Sequence, residues 1–402
     1  MKILMVNKFL YSRGGCENYM LYLGEHLSKM GHEVQYFGMY DEKNTVGNKA
    51  GKYTQNMDFH SNKLERFLYP FKIIYSVEAK KKIMQVIDDF KPDIVHMNNI
   101  NFQLTPSIIY GIKKKGIPLV QTVHDYQMIC PNHLLYDFEK NCPCEKCLEG
   151  SYINCIKNKC IHSSTVKSVL GVIEAWIYSW LKTYKKVDLF VCPSNFLENK
   201  FLSTKAYYKG KTKTIHNFID KEKFTNIDRK EEPYIVFVGR LSKEKGIENI
   251  AKAAKLLPEY TFVIAGSGPD EDILKNIPNV KMTGFLAGDK LTEIMGNAKL
   301  LLFPSVWYEN CPLSILESHC MGVPVVAMNS GGMAELVKDG VTGGLVNEPT
   351  PQGIALKLKE IIENEAYYKD LKENCKKERE NILSIEDYCD ILLKEYEKLV
   401  AR

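Results

Sequence analysis

Short apolar runs of strand length, separated by longer stretches of helical periodicity, recur along this chain in two series. The first series occupies residues 2–6, 33–37, 93–96, 118–124, 189–192 and 212–216. After 231–233, which reads as a linker, a second series follows at 234–238, 261–265, 280–283, 300–303, 324–327 and 344–346. Runs that are apolar throughout, not alternating, belong to parallel strands covered on both faces. Strand–helix–strand order then requires right-handed crossovers. The pattern predicts an α/β protein of two doubly wound domains, 1–220 and 221–383. The tail 384–402 carries Ile385, Tyr388, Leu392 and Tyr396 on one helical face.

The passage Ser305-Val-Trp-Tyr-Glu309-Asn-Cys-Pro-Leu-Ser-Ile-Leu-Glu317 organises the second series. It follows the apolar run 300–303, and after Pro312 the spacing of Leu313, Leu316 and Cys320 is helical. Proline suits a first helical position, where its missing N–H would have had no partner. Glu309 is therefore expected in a loop at the carboxyl end of a strand, and Glu317 about two turns down the next helix. Free N–H groups at that helix start make a site for an anion or hydroxyls. Two glutamates at this spacing are, by themselves, equally those of a solvated loop and helix. In the first series, a Gly14-Gly15 loop separates the first strand from a helix of about 16–30. It lacks the Gly-x-Gly-x-x-Gly fingerprint, so NAD is not expected, but glycines let a phosphate or sugar approach the backbone closely. His124, followed by Asp125, stands at a strand end, where open α/β sheets bind ligands.

The second half resembles the Glu-x7-Glu signature of retaining glycosyltransferases with the two-domain GT-B fold, family 4 in particular. The likeness rests on Glu309 and Glu317, Gly239-Arg240 with Lys245-Gly246, Ala265-Gly-Ser-Gly-Pro269, Pro304-Ser305, Gly322-Val-Pro324, and Gly331-Gly-Met-Ala-Glu335 ahead of Gly340-Val-Thr-Gly-Gly344. The first half matches more loosely, through Gly14-Gly15-Cys16-Glu17, His124-Asp125, Pro193-Ser194 and Asn217. The resemblance implies two Rossmann-like domains facing a central cleft, with the C-terminal helix crossing back onto the first domain. It also implies a nucleotide-sugar donor of the UDP or GDP type, bound mainly by the second domain.

On that reading Arg240 and Lys245 neutralise the diphosphate, Arg with fixed bidentate donors and Lys with a mobile charge. Glu317 accepts from the ribose hydroxyls. Glu309 lies by the donor sugar, with the N–H groups of Asn310, Cys311 and Leu313, and acts by positioning and charge, not as a nucleophile. Gly14, Gly15 and His124 face the sugar from the first domain, Gly239 flanks the diphosphate, and Gly284-Phe285 borders the base. Asp270-Glu-Asp272 has the spelling of a metal-binding pair but sits at an apparent helix start, where acids suit the dipole. Catalysis is expected to need no cofactor. The implied product is a cell-surface glycan made on a glycan or lipid-linked acceptor. Two other classes fit parts of the pattern: a nucleotide-sugar epimerase on the same architecture, and a non-catalytic scaffold subunit.

Composition narrows this picture modestly. The 402 residues are 45% hydrophobic and 26% charged, as in ordinary globular domains. No run of 18 apolar residues and no leader pattern is present, so a cytoplasmic protein is expected, at most at the inner face of a membrane. The net charge of +5 is uneven: residues 1–220 hold 30 Lys and Arg against 20 Asp and Glu, and the remainder 24 against 29. A basic first half suits an anionic lipid or pyrophosphate-linked acceptor, and the basic, aromatic stretch 63–72 is the most membrane-like piece. Nucleic acid is not expected, since no binding motif accompanies the charge. Of the twelve cysteines, Cys142, Cys144, Cys147, Cys155 and Cys160 crowd into a weakly apolar insertion, about 126–162. The set Cys144, Cys147, Cys155, Cys160 has a spacing suited to structural zinc, with disulfides and free thiols as alternatives.

Overall fold

The computed structural model describes residues 1–55, 72–148, 151–225 and 230–402. The basic stretch 63–72 lies outside these, apart from Lys72. Among the described residues, β1 (Lys2–Val6), β2 (Glu33–Phe37), β3 (Ile94–Met97) and β4 (Leu119–Thr122) open the first sheet. A small antiparallel ladder, β5 (Tyr136–Asp137) with β6 (Cys142–Pro143), lies in the cysteine-rich insertion. β7 (Leu189–Cys192) and β8 (Thr212–Thr214) complete the sheet, all parallel, in the order β2-β1-β3-β4-β7-β8.

The second sheet comprises β9 (Glu232–Val238), β10 (Thr261–Ala265), β11 (Val280–Gly284), β12 (Ala298–Phe303), β13 (Val325–Met328) and β14 (Gly343–Val346). It too is parallel, ordered β11-β10-β9-β12-β13-β14. Two doubly wound, Rossmann-like sheets are thus present, as the apolar runs predict. In each, the chain steps outward from a central strand and then returns to its other side. The reversal points, β1/β3 and β9/β12, are where the loops leaving the carboxyl ends diverge and a ligand crevice opens.

The differences from the sequence reading are local. β4 stops at Thr122, two residues before His124, which leaves that side chain in a loop. β9 begins at Glu232 and absorbs the expected linker; Pro233 is tolerated near its start. Pro312 is not the first helical residue. Its ψ of 121° is extended, so it caps the helix Leu313–Cys320 from outside. Glu317 is accordingly the fifth helical residue, just over one turn in.

The last helix, Ile385–Val400, begins at a capping box between Ser384 and Asp387 and buries Tyr388, Leu392, Tyr396 and Leu399 against Ile3, Met5, Leu23 and Val120 of the first domain. Its face is tied down by a buried polar chain. Tyr396 Oη bonds His96 Nδ1, His96 Nε2 lies 2.7 Å from Thr122 Oγ1, and Tyr19 Oη is 3.1 Å from that hydroxyl and 2.6 Å from Tyr388 Oη. Burial lowers the His96 pKa to about 3, so the imidazole is neutral and one ring nitrogen accepts a hydrogen bond from its hydroxyl partner. The sheets also meet through Glu335, which takes N–H groups of Asn195 (2.9 Å) and Phe196 at the start of the helix Asn195–Thr204 and a contact from His216 at 3.2 Å. Burial pushes the Glu335 carboxyl up, but these hydrogen bonds outweigh it and hold it below the usual carboxylate range.

The buried chain makes a prediction. Tyr396→Phe leaves His96 Nδ1 enclosed without a partner and is expected to cost about 1–3 kcal/mol in urea denaturation. Tyr22→Phe, at an exposed tyrosine, is expected to change stability by less than about 0.5 kcal/mol. Equal effects would show that the polar chain does not hold the last helix.

Candidate functional site

The loops at the β9 and β12 ends are fitted together by glycines. Gly246, at φ +77°, passes so close to β12 that a Cβ there would lie 2.1 Å from the Pro304 carbonyl oxygen. The turn Lys243–Lys245 is stapled to the same loop: Glu244 O accepts from Val306 N (2.9 Å) and Ser305 Oγ (3.1 Å). At β10, a Cβ on Gly266 would lie 1.9 Å from Gly239 O, which presses the 265–269 segment against the Gly239-Arg240 turn.

This fitting sets Lys245 and Glu309 side by side. Lys245 Nζ pairs with Glu309 Oε1, and Ser305 Oγ donates to the same oxygen at 2.9 Å. The Glu309 side chain is only 10% exposed, so its charge needs these partners. Lys245 also lies over the Trp307 ring, 5.2 Å from its centroid. Arg240 is exposed, and its guanidinium has no hydrogen bond or ion pair among the described residues. One free and one tethered cation thus flank the crevice.

Beyond Glu309 the chain turns into the helix Leu313–Cys320. Among the described residues, the N–H groups of Asn310, Cys311 and Leu313 have no backbone acceptor, because Pro312 breaks the run and the first helical amides point out of the helix end. Cys311 is buried and braced by Asn217, whose Nδ2 donates to its carbonyl at 2.9 Å. The Glu317 carboxylate makes no hydrogen bond among the described residues. Burial pushes its carboxyl up to about 7, with Lys223 opposing.

The first domain closes over this loop. Asn310 Nδ2 donates to His124 O at 2.9 Å, and Tyr126 Oη to Tyr308 O at 3.2 Å. His124 Nε2 is 3.0 Å from Asn98 Oδ1, and its ring meets the Tyr19 ring edge-on at 5.1 Å. Burial lowers its pKa to about 4. It is therefore neutral, donates from Nε2, and keeps Nδ1 as an acceptor. Asp125 accepts from Asn101 Nδ2 at 2.6 Å and lies in the field of Lys8. Gly14 and Gly15 form the exposed start of the helix Gly15–Lys29 on this side, near Lys8 and Asp125. Gly284, at φ +73°, and the 76% exposed Phe285 border the far end of the second domain's crevice.

Several contributors escape sequence reading. Ser305 and Trp307 lie inside the quoted stretch but carry no spacing signal. Trp307 Nε1, Asn310 Oδ1 and Asn98 Nδ2 are all buried without a partner among the described residues. Orphaned polar atoms in one crevice are what a bound hydroxyl-rich ligand satisfies. The glycines Gly331 and Gly332, read only as part of a motif, prove steric: a Cβ on Gly332 would lie 1.6 Å from Asn310 O.

The cysteine insertion gathers its thiols in one small cluster. All twelve cysteines are free thiols, and among the described residues no three His, Cys, Asp or Glu side chains are grouped to hold a metal ion. Cys147, Cys155 and Cys160 pack with Val172, and the Cys155 and Cys160 thiols hydrogen-bond each other. Cys144 stays outside this packed group, half-buried, its N–H bonded to Leu135 O at 2.8 Å. Asp270 and Asp272 flank a short turn, where Asp272 and Glu271 pair with Lys275.

Comparison with known proteins bears on the fold and the family. A 42.6 kDa protein of the cps region of Klebsiella pneumoniae is 26% identical over 353 residues, 84% of this chain and 87% of that protein. An uncharacterised glycosyltransferase of Methanocaldococcus jannaschii is 25% identical over 407 residues, 94% and 93% of the two chains. Among solved structures, Anabaena HepE in complex with UDP superposes with a TM-score of 0.69 at 18% identity, covering 99% of this chain and 100% of that one. Sucrose-phosphate synthase from Thermosynechococcus elongatus gives 0.71 at 17% identity, covering 100% and 99%. These likenesses establish the GT-B fold. The model for glycosyl transferases group 1 matches residues 218–378. The model for glycosyltransferase family 4 matches residues 13–223, more than half of the chain, and the protein belongs to that family.

Proposed function

We propose that this glycosyltransferase is a retaining enzyme that moves a hexosyl or hexosaminyl group from a nucleoside diphosphate sugar to a glycan or lipid-linked acceptor in cell-surface polysaccharide synthesis. The observation that carries the reading is the Lys245–Glu309 pair held at the β9/β12 reversal point beside the unpaired Arg240. Departure of a nucleoside diphosphate develops negative charge on its terminal phosphate. Arg240 and Lys245 stabilise that charge in place of a catalytic metal. Glu317 accepts the ribose hydroxyls, and the N–H groups of Asn310, Cys311 and Leu313 read hydroxyls of the sugar. His124, neutral and with Nδ1 open, accepts from the sugar on the opposite wall.

Glu309 stabilises positive charge at the anomeric carbon and orients Lys245. Attack then comes from the face the diphosphate leaves, with the departing phosphate taking the acceptor proton. The HepE structures in complex with UDP and UDP-glucose support a uridine donor, and the cps-region relative supports a surface-polysaccharide product. Turnover of UDP-, GDP-, ADP- and dTDP-sugars, with and without EDTA, tests the proposal. One nucleotide bound and turned over regardless of EDTA is the expected result. A folded protein that binds none of them overturns it.

Two predictions follow from the site. Arg240→Ala and Glu309→Ala are each expected to lower kcat by about a hundredfold or more while circular dichroism stays unchanged. Full activity in either variant contradicts the assignment. Glu317 sets a pH dependence. Its folded pKa is raised from 4.5 to about 7, so its favourable contribution is complete below about 4.5 and is lost as pH rises through 7. In the ligand-free protein, Glu317→Gln should therefore gain stability over wild type at pH 8, by about 1–3 kcal/mol, and none at pH 4. Nucleoside diphosphate affinity should rise with pH through 7 in wild type and stay flat in the variant, as measured by calorimetry.

A further inference from the structure

The helix Thr165–Trp180 is built the wrong way round for a surface helix. Its inner face carries Ser168, Gly171, Val172, Glu174 and Tyr178, all buried. Its outer face carries Val166, Ile173, Trp176, Ile177, Trp180 and then Leu181. At 100° per residue these six fall within a single arc of about 140°. Val166 is 71% exposed, Trp176 45%, Trp180 82% and Leu181 43%. No charged side chain interrupts that arc. The only carboxylic acid between Lys167 and Lys182 is Glu174, which points inward toward Gln127.

Positive charge brackets the apolar face. Lys167 stands at one end, and Lys182, Lys185 and Lys186 at the other, all exposed. Lys211 adds to this end, donating to Lys185 O at 2.7 Å and Val187 O at 2.9 Å. The nearby Asp188 is already paired with Lys113 at 2.7 Å.

We infer that the outer face of the helix Thr165–Trp180, with the lysines of 182–186, docks on an anionic lipid surface. Tryptophan at the level of lipid headgroups, apolar side chains below it and lysines at the rim form the pattern of an interfacial helix. At 16 residues the helix is about 24 Å long, and its inner face is committed to the domain core, so it lies in the interface and does not cross it. A second copy of the chain is the poorer occupant. A two-fold contact along this helix would set either lysine cluster against a lysine of the partner, with no exposed acid to answer it.

The placement bears on the proposed lipid-linked acceptor, and only that use of the surface rests on the proposed function. Gly171 lets the helix pack against the loop that leads out of His124-Asp125, since a Cβ there would approach Pro131 O to 3.2 Å and overlap the Ile161 side chain. A membrane held by the outer face is thus one helix away from the crevice.

Co-sedimentation with vesicles of phosphatidylcholine alone, and of phosphatidylcholine with phosphatidylglycerol, tests the inference on the full chain. The protein should bind the anionic vesicles, release them at high salt, and show tryptophan quenching by brominated acyl chains. Lys182→Gln/Lys185→Gln/Lys186→Gln should weaken that binding by about a hundredfold. Trp176→Glu/Trp180→Glu should weaken it at least tenfold while donor hydrolysis without vesicles is unchanged, which separates lost docking from a lost site or a lost fold. Absence of wild-type binding to anionic vesicles overturns the inference, as do variants that bind like wild type. Sedimentation of the wild type as a dimer that Trp180→Glu dissociates assigns the face to a second copy and overturns it equally.

Discussion

The backbone from Ser305 to Pro312 can hold its course only because Gly331 and Gly332 have no side chains. A Cβ on Gly332 would lie 1.6 Å from Asn310 O, and one on Gly331 2.6 Å from Glu309 O. With both absent, Gly332 N instead donates to Glu309 O at 2.7 Å. That contact fixes where Glu309 enters the crevice, and hence where Lys245 must be to satisfy its charge. It also aims Tyr308 and Asn310 at the other domain. A close approach of two backbones inside one domain thereby sets the geometry between two.

The electrostatics of the crevice divide along the same line. On the second-domain wall the groups are charged and paired, or charged and free, as with Lys245, Glu309 and Arg240. On the first-domain wall the His124 imidazole is half-buried and neutral. Glu317 stands apart from both, half-buried with no hydrogen bond to its carboxylate and therefore costly to ionise until hydroxyl donors reach it.

Much of this was legible in the chain because parallel strands covered on both faces must be apolar throughout. Runs such as 2–6 and 300–303 therefore announced two sheets, and the Glu309–Glu317 spacing pointed to the crevice. What stayed hidden depends on contacts between distant residues. Asn98 becomes a site residue because β3 lies beside β4, and nothing in its neighbourhood on the chain says so. Glu335 reads as the end of a glycine motif, yet it receives the helix start at Asn195 and Phe196, some 140 residues earlier. Pro312 illustrates the opposite limit. Its φ of −66° suits the first helical position or the cap equally, and only ψ, which proline does not fix, decides.

Spacing does not by itself separate two roles for the thiols of the cysteine-rich insertion. Thiols close in sequence are equally suited to metal binding and to packing, since a thiol is also a small hydrophobe. Here Cys147, Cys155 and Cys160 pack, and the insertion uses other side chains to reach the second domain. Glu145 accepts from Tyr308 Oη at 2.7 Å and pairs with Lys200 at 2.6 Å, while Lys243 donates to Phe138 O at 2.9 Å. These contacts sit on either side of the Lys245–Glu309 pair, on the Tyr308 side and the Lys243 side. Any hinge motion that widens the crevice must break Glu145–Tyr308 and Lys243–Phe138 along with Asn310–His124 and Tyr126–Tyr308. The insertion thus acts as a clasp on the very loops that carry the site, and opening the crevice disturbs Glu309 through its immediate neighbours.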